Sequence, residues 1–261
     1  MASWDPGQYA RFAGPRLRPA ADLVARLPDR AFRAGLDLGC GGGQLTALLA
    51  ARFPGLALTG VDNSPDMLAV AAKKMPEAVF RAGDIGDVAL GAGFDLIASN
   101  AAFHWLENHR DILADLMAGL PADGVLAVQM PRNHAAPSHT LLAETVAEPR
   151  FAARLSGVQG IRPVEAAETY ASLLLDAGAG EVDAWETTYI HALAPAPGSH
   201  PVLEWVKGTA LRPYLDALDE DAAADFTAAF REKLAAAYPV RADGGVLFPF
   251  RRVFFVATRR P

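Results

Sequence analysis

The chain has 261 residues, of which 51% are hydrophobic and 21% charged. That balance excludes intrinsic disorder and suits one large α/β domain. Its 24 basic and 30 acidic side chains leave a net charge of −6, so counterion release offers little attraction to a nucleic-acid backbone and none is expected as partner. The single cysteine, Cys40, excludes an intrachain disulfide and a cysteine-rich zinc site. The opening stretch MASWDPGQYARFAG lacks a basic segment followed by an apolar core, and no run reaches the ~18 apolar residues of a membrane span. A cytoplasmic protein with no membrane partner is expected, as a monomer or weak homodimer.

The predicted elements alternate from the start. Residues 20–27 (AADLVARL) carry a helical period. Ala34–Leu38 is a short apolar strand entering a glycine loop, and Gln44–Arg52 is the helix leaving it. Leu56–Val61 is the next strand, closed by Asp62. Ser64 has N-cap chemistry and Pro65 suits the first helical position, so the spacing predicts a helix through Lys74. Strands follow at Ala78–Ala82 and Phe94–Ser99, then a helix at Arg110–Ala118 and a strand at Gly124–Met130. This alternation predicts a mostly parallel α/β sheet with helices on both faces.

Beyond Met130 the rhythm changes. Residues 138–178 read as mainly helical, Glu181–His191 as a strand, and 202–237 as helical with an interruption at Pro213. The last strand, Val246–Thr258, contains Pro249, which predicts a kink, a bulge or an edge position. With no repeat and no low-complexity linker, the expectation is a single domain over 1–261. Its ligand-binding core spans roughly 20–130, with mainly helical insertions at about 131–180 and 195–245.

The strongest motif is the run Leu36-Asp37-Leu38-Gly39-Cys40-Gly41-Gly42-Gly43 at a strand-to-helix junction. Glycine tolerates positive φ and close approach of a ligand, and the backbone N–H groups of such a junction are expected to converge on it. Asp62 closes the next strand, where a carboxylate accepts both hydroxyls of a ribose. A dinucleotide fingerprint needs a sixth-position glycine, and Gln44 stands there. The loop therefore suits a nucleoside with an amino-acid tail better than a pyrophosphate. Asn100, at the end of the fourth strand, lies where ligands collect in open α/β sheets.

With these residues the sequence resembles the S-adenosylmethionine-dependent methyltransferases of the seven-stranded Rossmann-like class. The resemblance implies a helix-flanked, mostly parallel sheet with a helical cap. It implies S-adenosylmethionine as cofactor and S-adenosylhomocysteine as product. It also implies that the glycine loop, with Gly39, Gly41 and Gly43 and with Asp37 before it, faces the methionine moiety, that Asp62 holds the ribose, and that Asn63 belongs to the cofactor site. The adenine would then lie near Met67, Asp84 and Ile85. The segments around Trp4–Val24, NAAFHW, VLAVQMPRN, TTYIH, GTALRPYL and FPFRRVFFVATR are similar to the trans-aconitate 2-methyltransferase family. That similarity runs over nearly the whole chain and implies esterification of a carboxylate on a small polycarboxylate.

A carboxylate acceptor is already ionised at neutral pH, so the implied reaction needs positioning and no catalytic base. A polyanionic substrate needs local cations, and arginine forks match carboxylates. The candidates are Arg16, Arg18, Arg132, Arg212 and, in the last strand, Arg251 or its neighbour Arg252, with Arg251 preferred. Tyr9, Tyr214 and His104 are hydrogen-bond candidates, and His104 and Arg132 are expected to position the acceptor. His104 departs from the glutamine expected there in some family members, which leaves a donor role open. The six histidines show no metal-ligand spacing, and no metal is expected. Other readings are a nicotinamide dehydrogenase, a methyltransferase for a different small acid, and a noncatalytic adenosylmethionine-binding protein.

Overall fold

A computed structural model describes residues 13–86, 93–158, 160 and 162–261, without the side chains of residues 13–16. The first strands form where short apolar runs meet glycine or acidic turns: β1 (Ala34–Leu38), β2 (Ala57–Asp62), β3 (Val79–Ala82), β4 (Leu96–Asn100) and β5 (Val125–Pro131). Between them run α1 (Ala13–Ala25), α2 (Gln44–Arg52), α3 (Pro65–Lys74) and α4 (His109–Gly119). Helix α1 begins earlier than the apolar period suggested and continues through Pro19. Ser64 caps α3, its hydroxyl accepting from Met67 N at 3.4 Å, with Pro65 opening the helix.

The seven strands order as β3-β2-β1-β4-β5-β7-β6, with β6 spanning Ala179–Leu193 and β7 spanning Val246–Arg259. Strands β1 to β5 pair in parallel, and β7 runs antiparallel to β5. The chain moves outward from β1 to β3 and then returns to place β4 on the other side of β1. This reversal creates a switch point at the carboxyl ends of β1 and β4, the place where open α/β sheets hold ligands.

Contacts divide the chain into two compact units. The sheet unit comprises Gly14–Pro131, Val164–Thr187 and Arg252–Pro261; the helical unit includes Arg132–Pro163 and Thr188–Arg251. Each has its own apolar core, which is the physical reason for the division. In the sheet unit, Leu36, Leu38, Ile97, Leu126, Val128 and Phe255 pack with Leu113 and Met117 of α4. Helix α7 (Ala167–Asp176) adds Tyr170 and Leu174 to that core. The helical stretch predicted up to residue 180 therefore leaves the helical unit after Pro163. The helical unit holds α5 (Pro137–Val146), α6 (Pro149–Leu155), α8 (Pro201–Lys207), α9 (Arg212–Asp216) and α10 (Glu220–Ala237). Trp205, Phe226, Phe230, Phe248 and Phe250 form its core. Pro213 sits in the first turn of α9 and opens that helix instead of interrupting one. Pro249 lies outside the stretch of β7, Arg252–Thr258, that pairs with β5. No helix among the described residues is long and apolar enough to cross a membrane.

Candidate active site

The glycine loop turns where its sequence requires. Gly39, Gly41 and Gly43 have φ of 73°, 52° and 78°, the region that costs a side chain dearly. A Cβ on Gly39 would also lie 2.2 Å from the Ala102 methyl. Four of the loop's N–H groups are bonded within the protein. Those of Gly39 and Cys40 donate to the Val61 carbonyl at 2.8 and 3.0 Å, and that of Gly43 to the Cys40 carbonyl at 3.0 Å. The Gly41 N–H donates to Asp62 Oδ2 at 2.8 Å, while Ser64 N–H donates to Asp62 Oδ1 at 2.9 Å. These four loop amides are thus committed within the protein. The same two bonds to Asp62 clamp its carboxylate and leave lone pairs for incoming hydroxyls.

Asp37, two residues before the loop, is fully buried on β1. Its Oδ2 accepts from Thr46 Oγ1 at 2.6 Å, and its Oδ1 has no hydrogen-bond partner. Burial pushes its carboxyl up to about 7, with Asp62 adding repulsion and Thr46 opposing the rise. Burial also pushes the Cys40 thiol up, away from thiolate chemistry. Met67, in the first turn of α3, places its Cε 3.4 Å from where a Gly41 Cβ would be. Asn63 is exposed beside Asp62. Asp84 is exposed and its Oδ1 accepts from Gly86 N at 2.8 Å, while Ile85 packs partly against the sheet core. Asn100 ends β4, with a buried Oδ1 that has no hydrogen-bond partner. The topology therefore gathers Asp37, the glycines, Asp62, Asn63, Met67 and Asn100 at the carboxyl ends of β1, β2 and β4.

The substrate candidates are split between the units. In the sheet unit, Arg18 is exposed and faces Asp22 one turn on at 3.9 Å, the geometry of a solvated pair. Arg16 lies on α1, with its side chain outside the described residues, and Tyr9 is outside them altogether. His104 sits in the 3-10 turn Phe103–Trp105, its ring 4.6 Å from that of Trp105. In the helical unit, Arg132 and Arg251 are joined through backbone, Arg132 N donating to the Arg251 carbonyl at 2.9 Å. Asn133 fastens the same place, donating to the Arg251 carbonyl and accepting from Arg251 N, each at 2.9 Å. Arg212 is half-buried and pairs with Asp216 at 3.6 Å. Tyr214 is buried and lines a cavity of about 520 Å³ with His134, His139, Thr140 and Glu144. The preferred arginine of the last strand, Arg251, is exposed, whereas Arg252 is buried.

Three polar residues escaped the sequence reading. Thr46 on α2 is fully buried, and its signal was a hydroxyl on the apolar face of QLTALLAAR. Gln129 is fully buried on β5, and its signal was a lone amide within VLAVQM. Asn133 had no comparable signal, because its role depends on a strand 118 residues away. Among the described residues no group of three metal-binding side chains occurs.

The seven-stranded sheet, reversed at β7 and carrying its glycine loop at the switch point, defines the Rossmann-like methyltransferase class. The methyltransferase domain family matches residues 36–128. The YcgJ protein of Bacillus subtilis shares the fold, with TM-score 0.58 at 15% identity over 94% of this chain and 99% of that one. So does Haemonchus contortus phosphoethanolamine N-methyltransferase 2, solved with S-adenosyl-L-methionine, with TM-score 0.56 at 17% identity over 94% of this chain and 53% of that one. The trans-aconitate 2-methyltransferase of Methylobacterium nodulans is 46% identical over 259 residues, covering 99% of each chain. That of Azoarcus sp. is 44% identical over 99% of this chain and all of its own. The chain belongs to the trans-aconitate 2-methyltransferase family.

Proposed function

We propose that the protein transfers a methyl group from S-adenosylmethionine to one carboxylate of trans-aconitate, giving a monomethyl ester. The observation that carries this reading is the clamped Asp62 carboxylate beside a loop whose amides at 39, 40, 41 and 43 are already committed. A pyrophosphate would need such amides, so the arrangement disfavours a nicotinamide dinucleotide. A ribose needs only the carboxylate. The residues fit the nucleoside: Asp62 takes the ribose hydroxyls, with Asn63 beside it, and Met67, Asp84 and Ile85 border the base. The loop, the unsatisfied buried Asn100 Oδ1 and the unsatisfied buried Asp37 Oδ1 serve the amino-acid portion.

When bound, S-adenosylmethionine supplies an already activated methyl group. The chain's own task is to hold an ionised carboxylate in line at about 3 Å and to exclude water. No side chain has to remove a proton. His104→Gln should therefore keep most of the turnover, since the amide still donates a hydrogen bond; steady-state assays at constant cofactor occupancy check this. The function itself is tested by transfer of labelled methyl to a panel of small di- and tricarboxylates. Ester formed on trans-aconitate in preference to the others supports the reading, and transfer to none of them contradicts it.

A further inference from the structure

We propose that Gln129 and Arg252 form a carboxylate-binding pair that holds a substrate carboxylate other than the one esterified. This rests on the reading above and assigns specificity to two residues outside the cofactor set. In the sheet, Asn100 on β4 stands opposite Gln129 on β5, and Pro131 of β5 stands opposite Arg252 on β7. Opposed and alternate residues share a face, so Asn100, Gln129 and Arg252 lie side by side at the carboxyl ends of β4 and β5. Gln129 is fully buried and Arg252 is 5% exposed.

The bonding orients the amide. Arg252 Nη1 donates to Gln129 Oε1 at 3.1 Å, so the carboxamide cannot flip without setting its NH₂ against a cation. Its other end, Nε2, is buried with no hydrogen-bond partner. A native protein seldom leaves such a donor unsatisfied unless a ligand or water completes it. The acceptor it lacks, beside a buried guanidinium, is matched by a carboxylate oxygen. Binding there draws electron density from that carboxylate and makes it a poorer nucleophile. The group held by the pair is therefore the anchor, leaving another carboxylate of the same molecule to take the methyl group.

Gln129→Glu tests the pair in the full-length protein. It is nearly isosteric, turns the contact with Arg252 into an ion pair that supports folding, and replaces the needed donor by a repelling charge. Arg252→Gln serves as a second variant. Each is assayed on trans-aconitate and on unsaturated dicarboxylates that each lack one of its carboxylates, with S-adenosylmethionine titrated in parallel. For trans-aconitate, Gln129→Glu should lower kcat/KM at least about tenfold, mostly through KM, the scale of one hydrogen bond to a charged group. Wild type should lose a similar factor on the dicarboxylate that lacks the anchor, and the variants should lose little more on that analogue. Cofactor affinity should stay within about twofold. Equal losses on every acid, an unchanged KM, or a collapse of cofactor affinity would overturn the pair as a specificity element. Wild type that binds cofactor yet methylates no acid would instead overturn the function on which it rests.

Discussion

Asp37 shows how one buried group couples stability to pH. Its ordinary value is 3.8 and burial carries it to about 7 in the fold. Between those values the folded protein keeps a proton that the unfolded chain has released, so stability falls as pH rises through that window. Asp37→Asn removes the ionisation and keeps an oxygen for Thr46. The melting temperature of Asp37→Asn minus that of wild type should therefore grow more positive from pH 4 to pH 8, as read by thermal melts. A difference independent of pH would contradict the assignment. Asp37 and Asp62 were legible in the sequence because they end, or nearly end, apolar runs at a glycine loop. The need for Thr46 was not, since a hydroxyl in a helix gives no sign of the carboxylate it will meet.

Elements join these residues through contacts that no local pattern encodes. His109, at the start of α4, donates from Nδ1 to the Leu106 carbonyl at 3.0 Å, which leaves Nε2 as acceptor. The Tyr170 hydroxyl of α7, 2.9 Å away, supplies that donor. Tyr170→Phe leaves the imidazole nitrogen unsatisfied in a dry core and should cost about 1–3 kcal/mol in urea unfolding. An unchanged unfolding midpoint would show that the bond is dispensable. The strands and the loop that build the switch point followed from period and turn chemistry. The choice between Arg251 and Arg252 did not, because a one-residue shift in register exchanges the faces of a strand. Only the pairing of Arg252 with Pro131 decides which arginine is buried. The same holds for Pro213, whose meaning as a helix start depends on where α8 ends.

At the scale of the whole molecule, the acidic chain carries two cores and two opposed pH responses. In the helical unit, burial pushes His139 from its ordinary 6.5 down to about 4, with His134 adding a smaller push. As pH falls from 6.5 to 4, the unfolded chain gains a proton that the folded unit refuses, so stability is lost in that window. This opposes the Asp37 effect, which favours folding at low pH. His139→Gln should therefore flatten the acid side of the stability curve, and Asp37→Asn the neutral side, as read by denaturant midpoints from pH 4 to pH 8. Cofactor binding turns on the clamped Asp62 carboxylate at the switch point. Calorimetric titration of S-adenosylmethionine into wild type and Asp62→Ala, both shown folded by their melting curves, tests it most directly. The predicted result is an affinity loss of roughly 1.5–3 kcal/mol, the worth of hydrogen bonds to a charged acceptor; equal affinities in the two folded proteins would contradict it.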